Sequence, residues 1–249
     1  MLARPTFKAG IGLMFWLGRD KLMATKYSQY IRKRGYLLVN PTTAFLNAPA
    51  WGQAMFQKAL FEFNRLASVN KLGVFMIPAD PKLVHIFHAD VTIDAHMGTG
   101  TYRDIDGKEK SIRLPAERDT YQGFTVPVDG GGTKLDPGVF RYRSYVFMYA
   151  LPNVSGTEVG PGVRLTVLLH ELLHACGLEG TDPNHGINGH MPDPPHDLFC
   201  TGGFFQSVTG DQTHEKDYIS WGTARSPGKN GEFTLSGRTI GLIQKTWLP

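Results

Sequence analysis

Arg164-Leu165-Thr166-Val167-Leu168-Leu169-His170-Glu171-Leu172-Leu173-His174-Ala175-Cys176-Gly177-Leu178 is the stretch on which the reading of this chain turns. At about 100° per residue, Leu165, Leu168, Leu172 and Cys176 share one side of a helix, while His170 and His174 lie only about 40° apart on roughly the opposite side. The helix thus has one face for a core and one for ligands. Two imidazoles one turn apart can reach a single metal ion, and Glu171, turned about 100° from His170, is poorly placed to bind that ion but can reach a water beside it.

A peptide carbonyl is a poor electrophile, and water near neutral pH is a poor nucleophile. Zinc polarises the carbonyl and lowers the pKa of water toward about 7, while a glutamate takes the water's proton and passes it to the leaving amine. The H-E-x-x-H spacing on an apolar helix therefore points to one Zn2+ per chain on His170 and His174. Glu171 is then the general base of a zinc-dependent endopeptidase acting on protein or peptide substrates.

Working outward, residues 36–40 read as a strand ended by Pro41, and residues 51–69 carry Ala54, Met55, Ala59, Leu60, Phe63 and Leu66 at helical spacing. Segments 72–77, 83–95, 123–128 and 142–150 are rich in β-branched and aromatic residues and are separated by Gly, Pro and Asp, as strands are. Asp129-Gly130-Gly131-Gly132 is a break, and the Gly- and Pro-bearing run 151–162 closes the strand region. A helix over 163–178, ending at Gly180, comes next. Residues 181–235 are rich in Pro, Gly and Asp with little periodicity, and a last helix is expected over 236–245. That order is an α+β layout.

The 249 residues, 41% apolar and 19% charged, can bury a full core in one large domain with a short extension: 1–35 as the extension, 36–249 as the catalytic domain. A net charge of +4 without a basic run longer than Arg32-Lys33-Arg34 argues against nucleic-acid binding. Arg4 and Lys8 before the apolar run 9–18 loosely resemble a secretory signal, yet no small-x-small cleavage site follows before Arg19. That run is too short to span a bilayer, which needs about 20 apolar residues. It is read as a segment packed on its own domain or on a protein partner, with delivery outside the cell slightly favoured. The two cysteines, Cys176 and Cys200, allow at most one bridge, and Cys176 is expected in the core. Alternation places His88, Asp90, Asp94 and His96 on one face of a strand, read as an exposed polar face rather than a second metal site.

His170, Glu171, His174 and Gly177 resemble the metzincin branch of the zincin metallopeptidases, with the signature H-E-x-x-H-x-x-G-x-x-H followed by a Met-turn. The resemblance implies a twisted mixed sheet with a backing helix, a zinc-binding helix and a C-terminal helix. It also implies that Gly177 turns the chain so that a third ligand can reach the ion, and that an edge strand, 83–95 or 123–128, binds substrate backbone by strand addition. Here the expected third histidine position is Gly180. Downstream donors are Glu179, Asp182, His185, His190, His196 and Asp197. Met191 is the one methionine after the zinc helix, so it would supply a Met-turn, and His185 precedes it by several residues. His185 is therefore the expected third ligand, with His190 or an aspartate behind it. Tyr218, the one tyrosine after Met191, is the residue the family would use to steady the oxyanion, although packing beside Trp221 is the commoner role. No cysteine precedes Cys176, so latency through a propeptide cysteine on the zinc is not expected. Two rival readings stand beside the peptidase: a non-catalytic binding or structural protein on the same scaffold, and a delivered effector protease of narrow specificity.

Overall fold

The computed structural model describes residues 29–80, 82, 89–104, 107–114, 123–128, 143–151, 153–154, 157–158, 161–178, 233 and 235–248. A short helix α1 (Gln29–Arg34) leads into β1 (Tyr36–Pro41), followed by α2 (Thr43–Asn47) and the long α3 (Gln53–Asn70). Strands β2 (Phe75–Pro78), β3 (Val91–His96), β4 (Thr99–Arg103), β5 (Glu109–Arg113), β6 (Gly123–Val128) and β7 (Arg143–Tyr149) follow. A small hairpin, β8 (Asn153–Val154) with β9 (Thr157–Glu158), precedes α4 (Pro161–Ala175), and α5 (Gly237–Trp247) comes last. A mixed sheet with a few helices is compatible with the α+β expectation.

The main sheet runs β2-β1-β3-β7-β6, parallel except for β6, which pairs antiparallel with β7. Strand side chains alternate between faces. Leu37, Val39, Met76, Val91, Ile93, Val146 and Met148 are buried together with Phe56, Leu60, Phe63 and Leu66 of α3, Leu165, Leu168, Leu172 and Cys176 of α4, and Ile243 and Trp247 of α5. Ala59, Leu60, Phe63 and Leu66 of the expected α3 set are buried, whereas Ala54 is exposed and Phe56 lies in the core instead. On the other sheet face, the β4–β5 hairpin covers buried Phe147: a Cβ added at Gly100 would stand 2.7 Å from the Phe147 ring, and Tyr102 meets Tyr145 at 5.9 Å.

Several expectations need correction. Residues 83–88 lie outside the described residues, and the described part of the 83–95 segment, β3, is interior to the sheet. It is therefore no edge strand. The supposed exposed polar face is buried at Asp90 and His96. Asp90 takes an ion pair from Arg34 and accepts the Leu38 N–H, and Asp94 accepts the Thr42 hydroxyl. His96 packs edge-on against Tyr149 while its Nδ1 accepts the Gly98 N–H, and burial lowers its pKa below 6.5. Once the polar groups of a strand are satisfied by neighbouring elements, they can be buried at little cost. The helix α1 and the buried Ile31 belong to the same core as the sheet.

Edge strands invite pairing unless something covers them. On the β2 edge, the Asn64 amide of α3 donates to the Met76 carbonyl and accepts the Met76 N–H, each at 2.8 Å, as a further strand would. Among the described residues β6 forms the opposite edge.

Candidate active site

Helix α4 packs on β6 and β7. Its expected end at Gly180 is corrected: the last helical residue is Ala175, and Gly177 takes a left-handed conformation with φ of 93°. The Gly177 N–H reaches the His174 carbonyl at 2.8 Å and the Leu178 N–H reaches that of Leu173 at 3.4 Å. That pair of bonds is the Schellman termination, which favours glycine because it carries no Cβ. The Cys176 carbonyl accepts the indole N–H of Trp247 at 3.0 Å, so α5 locks the end of α4. Replacing Gly177 with alanine should cost about 1–2 kcal/mol, the strain of a left-handed L-residue. Urea unfolding would measure it, and an unchanged midpoint would show that the turn does not depend on the glycine.

Leu165, Leu168, Leu172 and Cys176 face the core as the helical arithmetic requires, each at 1% exposure or less. Cys176 is a free thiol whose pKa burial pushes up, so it is an inert packing group. Cys200 lies outside the described residues.

His170 and His174 are half-buried, and their ring centroids stand 5.0 Å apart at 75°. The His174 Nδ1 lies 2.8 Å from the Leu178 carbonyl oxygen. A carbonyl can only accept, so Nδ1 carries the proton, and in the neutral ring the lone pair is on Nε2. Such a bond fixes tautomer and ring orientation as the outer partners of metal-ligating histidines do. The Gly177 turn is what carries the Leu178 carbonyl back to this ring.

Glu171 is buried, at 7% exposure, under β6. The Thr125 hydroxyl donates to Glu171 Oε2 at 2.6 Å, and its oxygen is also 3.2 Å from the Glu171 carbonyl oxygen. Gly123, two residues back on the same face of β6, leaves the space that the glutamate stem occupies: a Cβ there would stand 2.6 Å from Glu171 Cγ and 2.9 Å from Val167 Cγ1. Burial raises the Glu171 pKa from 4.5 to about 7, with the Thr125 bond opposing the rise. Helical arithmetic missed Thr125 and Gly123, since neither lies near Glu171 in the chain. The alternation of β6 was the one available sign that they share a face.

His185, Tyr218 and Met191, together with Glu179, Asp182, His190, His196 and Asp197, lie outside the described residues. Among the described residues no group of three or more His, Cys, Asp or Glu gathers where it could hold a metal ion. The pair His170 and His174 suits one in residue type and spacing: two imidazoles on adjacent turns, the His174 ring oriented by the Leu178 carbonyl.

No family model matches this chain, and no curated protein matches it. Among solved structures, a chain of the ECX AB5 holotoxin in its GM1-bound form is similar at 11% identity with a TM-score of 0.40, over 89% of this chain and 83% of that one. A likeness that loose assigns neither fold nor activity. The resemblance to metzincins is therefore corrected. It rested on four positions of one helix end, no family model extends it, and the described residues bring together no three-ligand group. Gly177 is accounted for by helix termination, a demand common to many helices and no mark of one family.

Proposed function

We propose that this chain is a zinc-dependent endopeptidase that hydrolyses peptide bonds in proteins. The observation that carries the reading is the pair of imidazoles on one face of α4, 5.0 Å apart, with the His174 Nδ1 proton committed to the Leu178 carbonyl. His170 and His174 would hold the ion, with His185 as the proposed third ligand. Zinc in that position would polarise the scissile carbonyl and lower the pKa of water.

The chain's own groups perform the remaining work. Glu171 takes a proton from the attacking water and delivers it to the leaving amine. Tyr218 is proposed to steady the charge that develops on the carbonyl oxygen. An extended peptide can pair with the outer side of β6, the edge strand among the described residues that packs on α4. A glutamate between the two histidines in the sequence of α4 favours this reading over a purely structural metal site, which has no use for a base.

Metal analysis of purified full-length chain is expected to find about one zinc, bound with peptidase activity that chelation removes and zinc restores. His170→Ala, His174→Ala and His185→Ala are each expected to lower zinc content. Full zinc in the His185 variant alone would move the third ligand elsewhere in 179–197, whereas native protein that does not take up zinc would end the proposal. Among the described residues no helix is long and apolar enough to cross a membrane.

A further inference from the structure

Resting on the peptidase reading, we infer that Thr125 is a positioning residue that aims the Glu171 carboxylate. Three observations converge on β6. Its Thr125 hydroxyl donates to Glu171 Oε2 at 2.6 Å, Gly123 vacates the volume through which the Glu171 stem passes, and β6 is held in register against β7 by antiparallel pairs from Gly123 with Met148 to Val128 with Arg143. The strand thus offers a slot and a hook to one side chain of α4.

A glutamate has three rotatable side-chain torsions, and a base that samples several rotamers spends little of its time within reach of the attacking water. The stem passes through the space left at Gly123, and the threonine hydroxyl fixes the rotation of the terminal carboxylate. A hydroxyl has one hydrogen, and at 2.6 Å it goes to Oε2. Oε1 is then the oxygen left for water. Because the hook sits on a strand and the base on a helix, the aim of the base depends on how β6 sits against α4.

Full-length protein loaded with zinc is compared as wild type, Thr125→Val and Thr125→Ser on one peptide substrate. The valine variant is expected to lower kcat about tenfold or more, with KM within about twofold and zinc content unchanged, and the serine variant to recover most of the loss. Thr125→Ala replaces the valine variant if that one does not fold. In metal-free protein, infrared spectra with Glu171→Gln subtracted isolate the Glu171 carboxyl bands, which should shift in the valine variant and stay in place in the serine variant. Unchanged kcat without the hydroxyl, equal impairment by serine and valine, or an unmoved infrared band would each overturn the inference. Wild type no more active than Glu171→Gln would instead sink the peptidase reading, and the infrared comparison alone then decides whether Thr125 aims the carboxylate.

Discussion

Glu171→Gln is expected to lower kcat for peptide hydrolysis by about a thousandfold, within the range general acid–base catalysis contributes, while zinc content stays at the wild-type level. The amide keeps the size of the carboxylate and can still accept the Thr125 hydroxyl that Glu171 Oε2 accepts at 2.6 Å. What it loses is the ability to take a proton from water and return it to the amine. Loss confined to kcat separates this from damage to the site, and parallel metal analysis separates it from loss of the ion. A variant that keeps wild-type turnover would remove Glu171 from the chemistry. One that loses zinc as well would mean that the residue belongs to the metal site instead.

The same substitution should stabilise the metal-free protein at neutral and alkaline pH. Burial holds the Glu171 pKa at about 7 in the fold against an ordinary 4.5. Between those values the folded chain keeps a proton that the unfolded chain has released, so stability falls as pH rises. The contribution is fully present below about 4.5, is lost progressively up to about 7, and is flat above. At about 1.4 kcal/mol for each pH unit, the loss comes to about 3 kcal/mol. Glutamine has no proton to lose. Urea unfolding of metal-free wild type and Glu171→Gln from pH 5 to 8 should therefore show the variant gaining on the wild type by most of that amount. Parallel curves across the range would mean that the carboxylate is not desolvated in the fold.

Much of the architecture could be read from local pattern. The spacing in α3 and α4 predicts both helices, and the bounds of β6 match the expected strand; of the apolar set expected in α3, Ala59, Leu60, Phe63 and Leu66 are buried while Ala54 is exposed, and α4 buries Leu169, Leu173 and Ala175 beyond its expected face. The β4–β5 hairpin escaped notice, because Thr99–Arg103 and Glu109–Arg113 are largely polar and alternate only weakly. Alternation predicts an exposed polar face at Asp90 and His96, and the fold buries both. Their partners Arg34, Leu38 and Tyr149 lie on other elements, and alternation reports only which residues share a face.

The sequence by itself determined that His170 and His174 share one side of a helix and that Cys176 points the other way, since a helix of known period fixes both with no reference to the rest of the chain. Only the tertiary structure decided that Glu171 lies under β6, hooked by Thr125 across 46 positions of sequence and accommodated by the missing side chain of Gly123. It also decided that Trp247 closes the end of α4 across 71 positions. Contacts between elements depend on how whole layers pack, and no periodicity within a single element encodes them.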